Sequence, residues 1–73
     1  MARFAVTDAL GAWADADGES WLPGELPAGT YTLRVRFAEG EDPVPALTFV
    51  VAAGDTATIA CNAAFKRCRK VSP

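Results

Sequence analysis

The residues best placed to do chemistry crowd into positions 12–21, where Trp13, Asp15, Asp17, Gly18, Glu19 and Trp21 follow one another closely. Three carboxylates beside a glycine suggest a calcium loop, and that idea can be tested on spacing. An EF-type loop needs oxygen ligands at positions 1, 3 and 5, glycine at 6 and a bidentate glutamate at 12. With Asp15, Asp17 and Gly18 at positions 3, 5 and 6, Trp13 falls at position 1 and Gly24 at position 12. Two key ligands are missing, so we expect no metal and no cofactor. A weak site built from Asp15, Asp17 and Glu19 is the residual alternative. The flanking tryptophans support a different chemistry. An exposed indole stacks on a sugar ring while neighbouring acids accept hydroxyl hydrogen bonds, which makes Trp13, Asp15, Asp17 and Trp21 candidate contacts for a polysaccharide or another partner. The plainer reading has both indoles as core or loop-covered bulk, because one tryptophan buries so much area.

A second group lies near the end of the chain. Lys66, Arg67, Arg69 and Lys70 are unbroken by any acid, whereas all nine acids lie in residues 1–60 with only three arginines. The body is acidic and the tail basic. Four cations give weak, salt-sensitive attraction to a polyanion, or they dock on the acidic 39–42 loop of a neighbouring copy, or they simply solubilise the end. A pI near 4.8 and one local aromatic, Phe65, argue against nucleic acid as the partner. Cys61 and Cys68 are the only cysteines. In an extracytoplasmic setting we expect a bridge, adding about 2–3 kcal/mol by constraining the unfolded chain. The alternative is two thiols, with Cys61 a small core residue.

Catalysis finds little support. The chain has no histidine, the commonest general base. Ser20 and Ser72 have no base nearby in sequence, the cysteines lack an imidazole partner, and the Glu41-Asp42 pair sits in a loop. We expect a protein that is not an enzyme.

The elements that must position these groups are strands. In "TYTLRVRF" (30–37), Tyr31, Leu33, Val35 and Phe37 alternate with polar residues, which predicts a strand with one buried face. "ALTFVVA" (46–52) places Leu47, Phe49 and Val51 on one face, after an acidic loop (38–45) whose two prolines discourage pairing. "TATIAC" (56–61) follows the turn "AAGD", and the short spacing predicts an antiparallel hairpin between 46–52 and 56–61. "RFAV" (3–6), with Phe4 and Val6 on one side, reads as a first strand. "GAWADA" (11–16) is a thinner one, with Ala12, Ala14 and Ala16 facing the core and Trp13 and Asp15 facing out. Seventy-three residues make one small domain whose core is thin. The longest apolar run, 46–53, is far too short to span a membrane as a helix, and residues 1–10 do not read as a secretory signal. The expectation is an all-β domain, a small antiparallel β-sandwich of about five to six short strands covering 1–61. A basic C-terminal tail (62–73) would be tied to it by Cys61–Cys68.

The order of these features resembles the PEGA domain, a small β-sandwich module of bacterial proteins. The resemblance runs over roughly residues 4–61. It rests on Gly11-Ala12, a strand into Asp17-Gly18, then Pro23, Leu26 and Gly29 ahead of the alternating strand, and Gly54 before the last. It departs from that family in lacking the Pro-Glu-Gly-Ala run and in using alanines in the 12–16 strand. What it implies is a PEGA-like fold and a non-catalytic interaction or structural module. Such a module would belong to a bacterial envelope protein or serve as a subunit of an assembly, and it brings no catalytic residues with it. The implied partner is a protein or a second copy, and the implied location is the periplasm or cell surface.

Overall fold

A computed structural model describes residues 1–71. Ser72, considered above as a nucleophile, lies outside the described residues. Eight strands follow one another with no helix among the described residues: β1 (Ala2–Thr7), β2 (Gly11–Ala16), β3 (Glu19–Trp21), β4 (Gly24–Leu26), β5 (Gly29–Arg36), β6 (Val44–Val51), β7 (Thr56–Asn62) and β8 (Arg67–Lys70). They form two four-stranded sheets, ordered β4-β1-β7-β8 and β3-β2-β5-β6. The all-β sandwich expected from the alternating patterns is the fold observed. The three strands beyond the predicted five are β3, β4 and β8.

Period-two burial builds the core. On β5, Tyr31, Leu33 and Val35 are buried, and Phe37 is buried just beyond it. β2 contributes Ala12 and Ala14, and β6 contributes Phe49 and Val51. From the facing sheet come Ala2 and Phe4 of β1, Leu26 of β4, and Ala57, Ile59 and Cys61 of β7. Phe4 meets Phe49 across the two sheets at 5.8 Å between ring centroids, and Phe49 stacks on Tyr31 within its own sheet. The Tyr31 hydroxyl donates to the Pro27 carbonyl, which satisfies its polar end and anchors the turn before β5. No polar or charged residue is buried among the described residues. Cohesion is therefore carried by apolar area, at about 1.5–3 kcal/mol for each large side chain taken fully out of water.

Two expectations are corrected. Residues 46–52 and 56–61 do not pair as a hairpin. β6 pairs with β5, and the Ala52–Asp55 turn carries the chain to the other sheet, where β7 lies parallel to β1 and antiparallel to β8. Alternation specifies which face is buried and not which strand lies alongside. Both strands have an inward face to bury, and placing them in opposite sheets buries each against the other layer. The prolines of the acidic loop also do not exclude pairing. β6 begins at Val44, with Pro45 opposite Arg34 after a register shift at Leu33/Arg34. An edge strand tolerates a residue without an N–H when that position faces away from the ladder.

Strand directions define two ends. The β1–β2, β5–β6 and β7–β8 connections lie at one, called here the upper end, and the β2–β3 and β6–β7 turns lie at the other.

Candidate functional site

The stretch 12–21 folds as a hairpin, and the hairpin sorts its chemistry. Asp17 and Gly18 form its two-residue turn with φ of 51° and 81°. That left-handed pair gives the twist a tight hairpin needs, and Asp-Gly is a preferred pair for it. Ala14 then lies opposite Trp21, Asp15 opposite Ser20 and Ala16 opposite Glu19. Ala14 points inward and is fully buried, so Trp21 shares the inner face and packs partly against the core. It occupies the space that the small alanines of β2 leave. Trp13 and Asp15 take the outer face.

The four candidate contacts are thereby separated. Trp13 and Asp15 stay together, while Asp17 and Trp21 line a different hollow at the lower end beside Pro27, Gly29 and Tyr31. A sugar platform using both indoles together is not available. Sequence reasoning missed the partners that join Trp13 and Asp15. Ser20 Oγ donates to Asp15 Oδ1 at 2.6 Å, and Arg34 Nη1 lies 3.6 Å from Asp15 Oδ2. With Trp13 and Pro43 these residues line a hollow of about 270 Å³ on the outer face of the second sheet. The alternation of β5 already put Arg34 on a wet face. Only the register, Trp13 opposite Arg34 and Asp15 opposite Thr32, brings it to the site.

Trp13 is half-buried in an instructive way. A Cβ placed on Gly11 would sit 3.1 Å from Cη2 of the indole and within 3.7 Å of two more atoms of its six-membered ring. The ring is laid back along β2 over the residue that has no side chain. A side chain at 11 would crowd the ring, which would have to shift by a few tenths of an ångström to admit even a methyl group.

The basic group is also divided. Lys66 Nζ bonds Glu41 Oε2 at 2.8 Å, joining the β7–β8 turn to the acidic loop of the same chain. Lys70 Nζ donates to the Val50 carbonyl at 3.0 Å. Arg67 and Arg69 lie on the outer face, opposite Asn62 and Ala60. They have no hydrogen-bond or ion-pair partner among the described residues, and with Phe65 they border a hollow of about 600 Å³. Residues 67–70 are a sheet strand and not an appended tail, and the boundary at 61 falls inside β7. Cys61 and Cys68 are directly opposite and disulfide-bonded. Asn62 Oδ1 accepts from the N–H groups of Ala64 and Phe65, which shapes the turn between the bridged strands.

No family model, curated protein or solved structure matches the chain. Its surfaces must therefore speak through their own chemistry. Among the described residues no three metal-ligating side chains cluster, and no helix is long and apolar enough to cross a membrane. Large apolar side chains are exposed at the upper end. Leu10 is 55% exposed, Leu22 67% and Phe65 73%. Leu10 and Leu22 border a groove of about 260 Å³ with Val6, Ala9 and Pro23.

Proposed function

We propose that the protein is a non-catalytic interaction or structural module, PEGA-like in kind, that docks through its upper end on a protein partner or a second copy. The observation that carries this reading is the groove that exposed Leu10 and Leu22 border at the upper end, with Phe65 exposed on a separate connection at the same end. Large apolar side chains exposed singly are ordinary, but a concentration of them marks a contact surface. The groove beside Leu10 and Leu22 receives an apolar group, and Phe65 supplies one.

The wider setting belongs to the same proposal. A disulfide on a small domain fits an oxidising compartment, in keeping with a place in a bacterial envelope protein or assembly. Asp17, Gly18 and Gly54, residues on which the PEGA resemblance draws, have the positive φ that tight turns use. Polyanion binding is the weaker reading, because two of the four basic residues already bond within the chain.

Sedimentation velocity across a concentration series tests the docking end. The expected result is reversible association that the combined Leu10→Ser, Leu22→Ser and Phe65→Ser variant abolishes without lowering its melting temperature. A wild-type chain that stays monomeric throughout removes self-association as the mode. Association that survives the triple variant removes the upper end as its surface.

A further inference from the structure

The outer face of the second sheet, below the β5–β6 loop, carries a small site whose groups are already fixed in place. Its members come from three strands and a loop: Trp13 and Asp15 from β2, Ser20 from β3, Arg34 from β5, and Pro43 from the loop before β6. Asp15 is held on both oxygens, by Ser20 and by Arg34. Trp13 is laid along the sheet by the missing side chain at Gly11. An aromatic plane and a hydrogen-bonding pair thus border one hollow before any ligand arrives. Pre-organisation of this kind lowers the ordering cost of binding.

The chemistry of the hollow selects its occupant. Asp15 and Arg34 carry opposite charges, so an anion would meet the carboxylate and a cation the guanidinium. A neutral ligand with several hydroxyls meets neither penalty. It donates to Asp15 and accepts from Arg34, whose guanidinium has donors left over. The indole asks for a flat apolar face on the same ligand. About 270 Å³ lies just below the range of clefts that enclose drug-sized molecules, which suits one ring of a longer chain lying on an open surface. A pyranose combines these properties: an apolar face of axial C–H groups and a rim of hydroxyls. We propose that this face binds a neutral glycan, with one pyranose stacked on Trp13 and its hydroxyls shared between Asp15, Arg34 and Ser20. Trp21 takes no part, since it faces the core. Trp13 also lines the groove beside Leu10 and Leu22, whereas Asp15, Ser20 and Arg34 do not, so the Arg34 variant separates this proposal from docking at the upper end.

The two tryptophans give two indole N–H resonances, and these make the test direct. The ¹⁵N-labelled chain is titrated with a panel of neutral oligosaccharides: β-1,4-glucan, xylan, mannan, chitin and α-1,4-glucan fragments of about six units. The expected result is a saturable shift of the Trp13 indole with at least one of them, while the Trp21 indole stays in place. Trp13→Ala should weaken binding roughly tenfold or more, with Trp13→Tyr recovering part of it, given what an aromatic contact contributes. Arg34→Met, which keeps the apolar stem and removes the donors, should also weaken binding about tenfold, as expected for lost hydrogen bonds to a charged group. An unchanged Trp21 resonance reports that each variant remains folded. The proposal is overturned if no neutral glycan moves the Trp13 indole up to its solubility limit. It is equally overturned if only a charged glycan or a proline-rich peptide does so, or if Trp13→Ala binds as tightly as the native chain.

Discussion

The two sides of the sandwich solve one problem in different ways. On one side the sheets end in β3 and β4, each three residues long and joined through Leu22-Pro23. On the other they end in β8 and in the eight-residue β6, which come into contact across the gap. A free edge offers unpaired N–H and C=O groups to any passing strand. The short side has few to offer, and a tight turn, a two-residue link and one exposed ion pair, Arg3 Nη2 to Glu25 Oε1 at 3.1 Å, hold it. The long side has many, and it is secured by contacts between residues far apart in sequence. Pro45 withholds an N–H, a register shift bends the ladder, Lys70 occupies the Val50 carbonyl, and Lys66 ties to Glu41. The Cys61–Cys68 bond fastens β8 itself. The contrast is between an edge secured mainly by local backbone geometry and one secured mainly by distant side chains.

Breaking each side in turn should expose that contrast. The largest effect is expected from the disulfide. Replacing Cys61 and Cys68 together by alanine should remove about 2–3 kcal/mol, the value for closing so short a loop, read as a lower urea midpoint. Amide exchange should accelerate first in residues 67–70 and leave 19–26 unchanged. Acceleration spread evenly over both sides would show that the edges are not independent. Next comes Gly18→Ala, which forces a side chain into a left-handed conformation at about 1–2 kcal/mol. Its exchange signature should be the reverse, with 19–21 opened and 67–70 protected. Glu41→Gln should cost less than about 1 kcal/mol, as an exposed ion pair does, and the loss should shrink further in high salt. Lys70→Met should be the mildest, at about 0.5 kcal/mol, the low end for one hydrogen bond of an exposed group. Its clearest sign should be faster exchange along β6 with the midpoint almost unmoved.

How much of this was legible follows the same division. Tyr31, Leu33 and Val35 announced β5, because a strand with one dry face must alternate. Asp17-Gly18 announced its turn, and the alanines of β2 announced where Trp13 and Asp15 would point. What pairing contributes was hidden. Nothing in "TATIAC" says that its neighbours are β1 and β8, because alternation carries no information about who lies alongside. Arg67–Lys70 reads as solvated charge, and at an edge it can be both solvated and a strand, since only Cys68 needs an inward place. Pro45 argued against a strand by a rule that holds for central strands and not for this edge. The Trp13 site was half visible. Its aromatic and its carboxylate were adjacent in sequence, but Arg34 and Pro43 reach them only through register and loop placement.

The parallel pairing of β1 with β7 has a consequence for how the molecule comes to exist. Arg3 must find Thr56, and Val6 must find Ile59, across a loop of roughly fifty residues whose closure entropy opposes the contact until it forms. A chain emerging from the ribosome can complete the β2–β5–β6 meander early. β1, although made first, waits for β7 before its sheet has a centre. Proteins dominated by such distant pairings fold slowly for their size. During that interval Phe4 and Ile59, later sealed between the sheets, stand open to water and to other chains. The fate of the nascent polypeptide is then decided by a race between β7's arrival and a wrong partner, and the Cys61–Cys68 bond can close only after β7 and β8 have both been made.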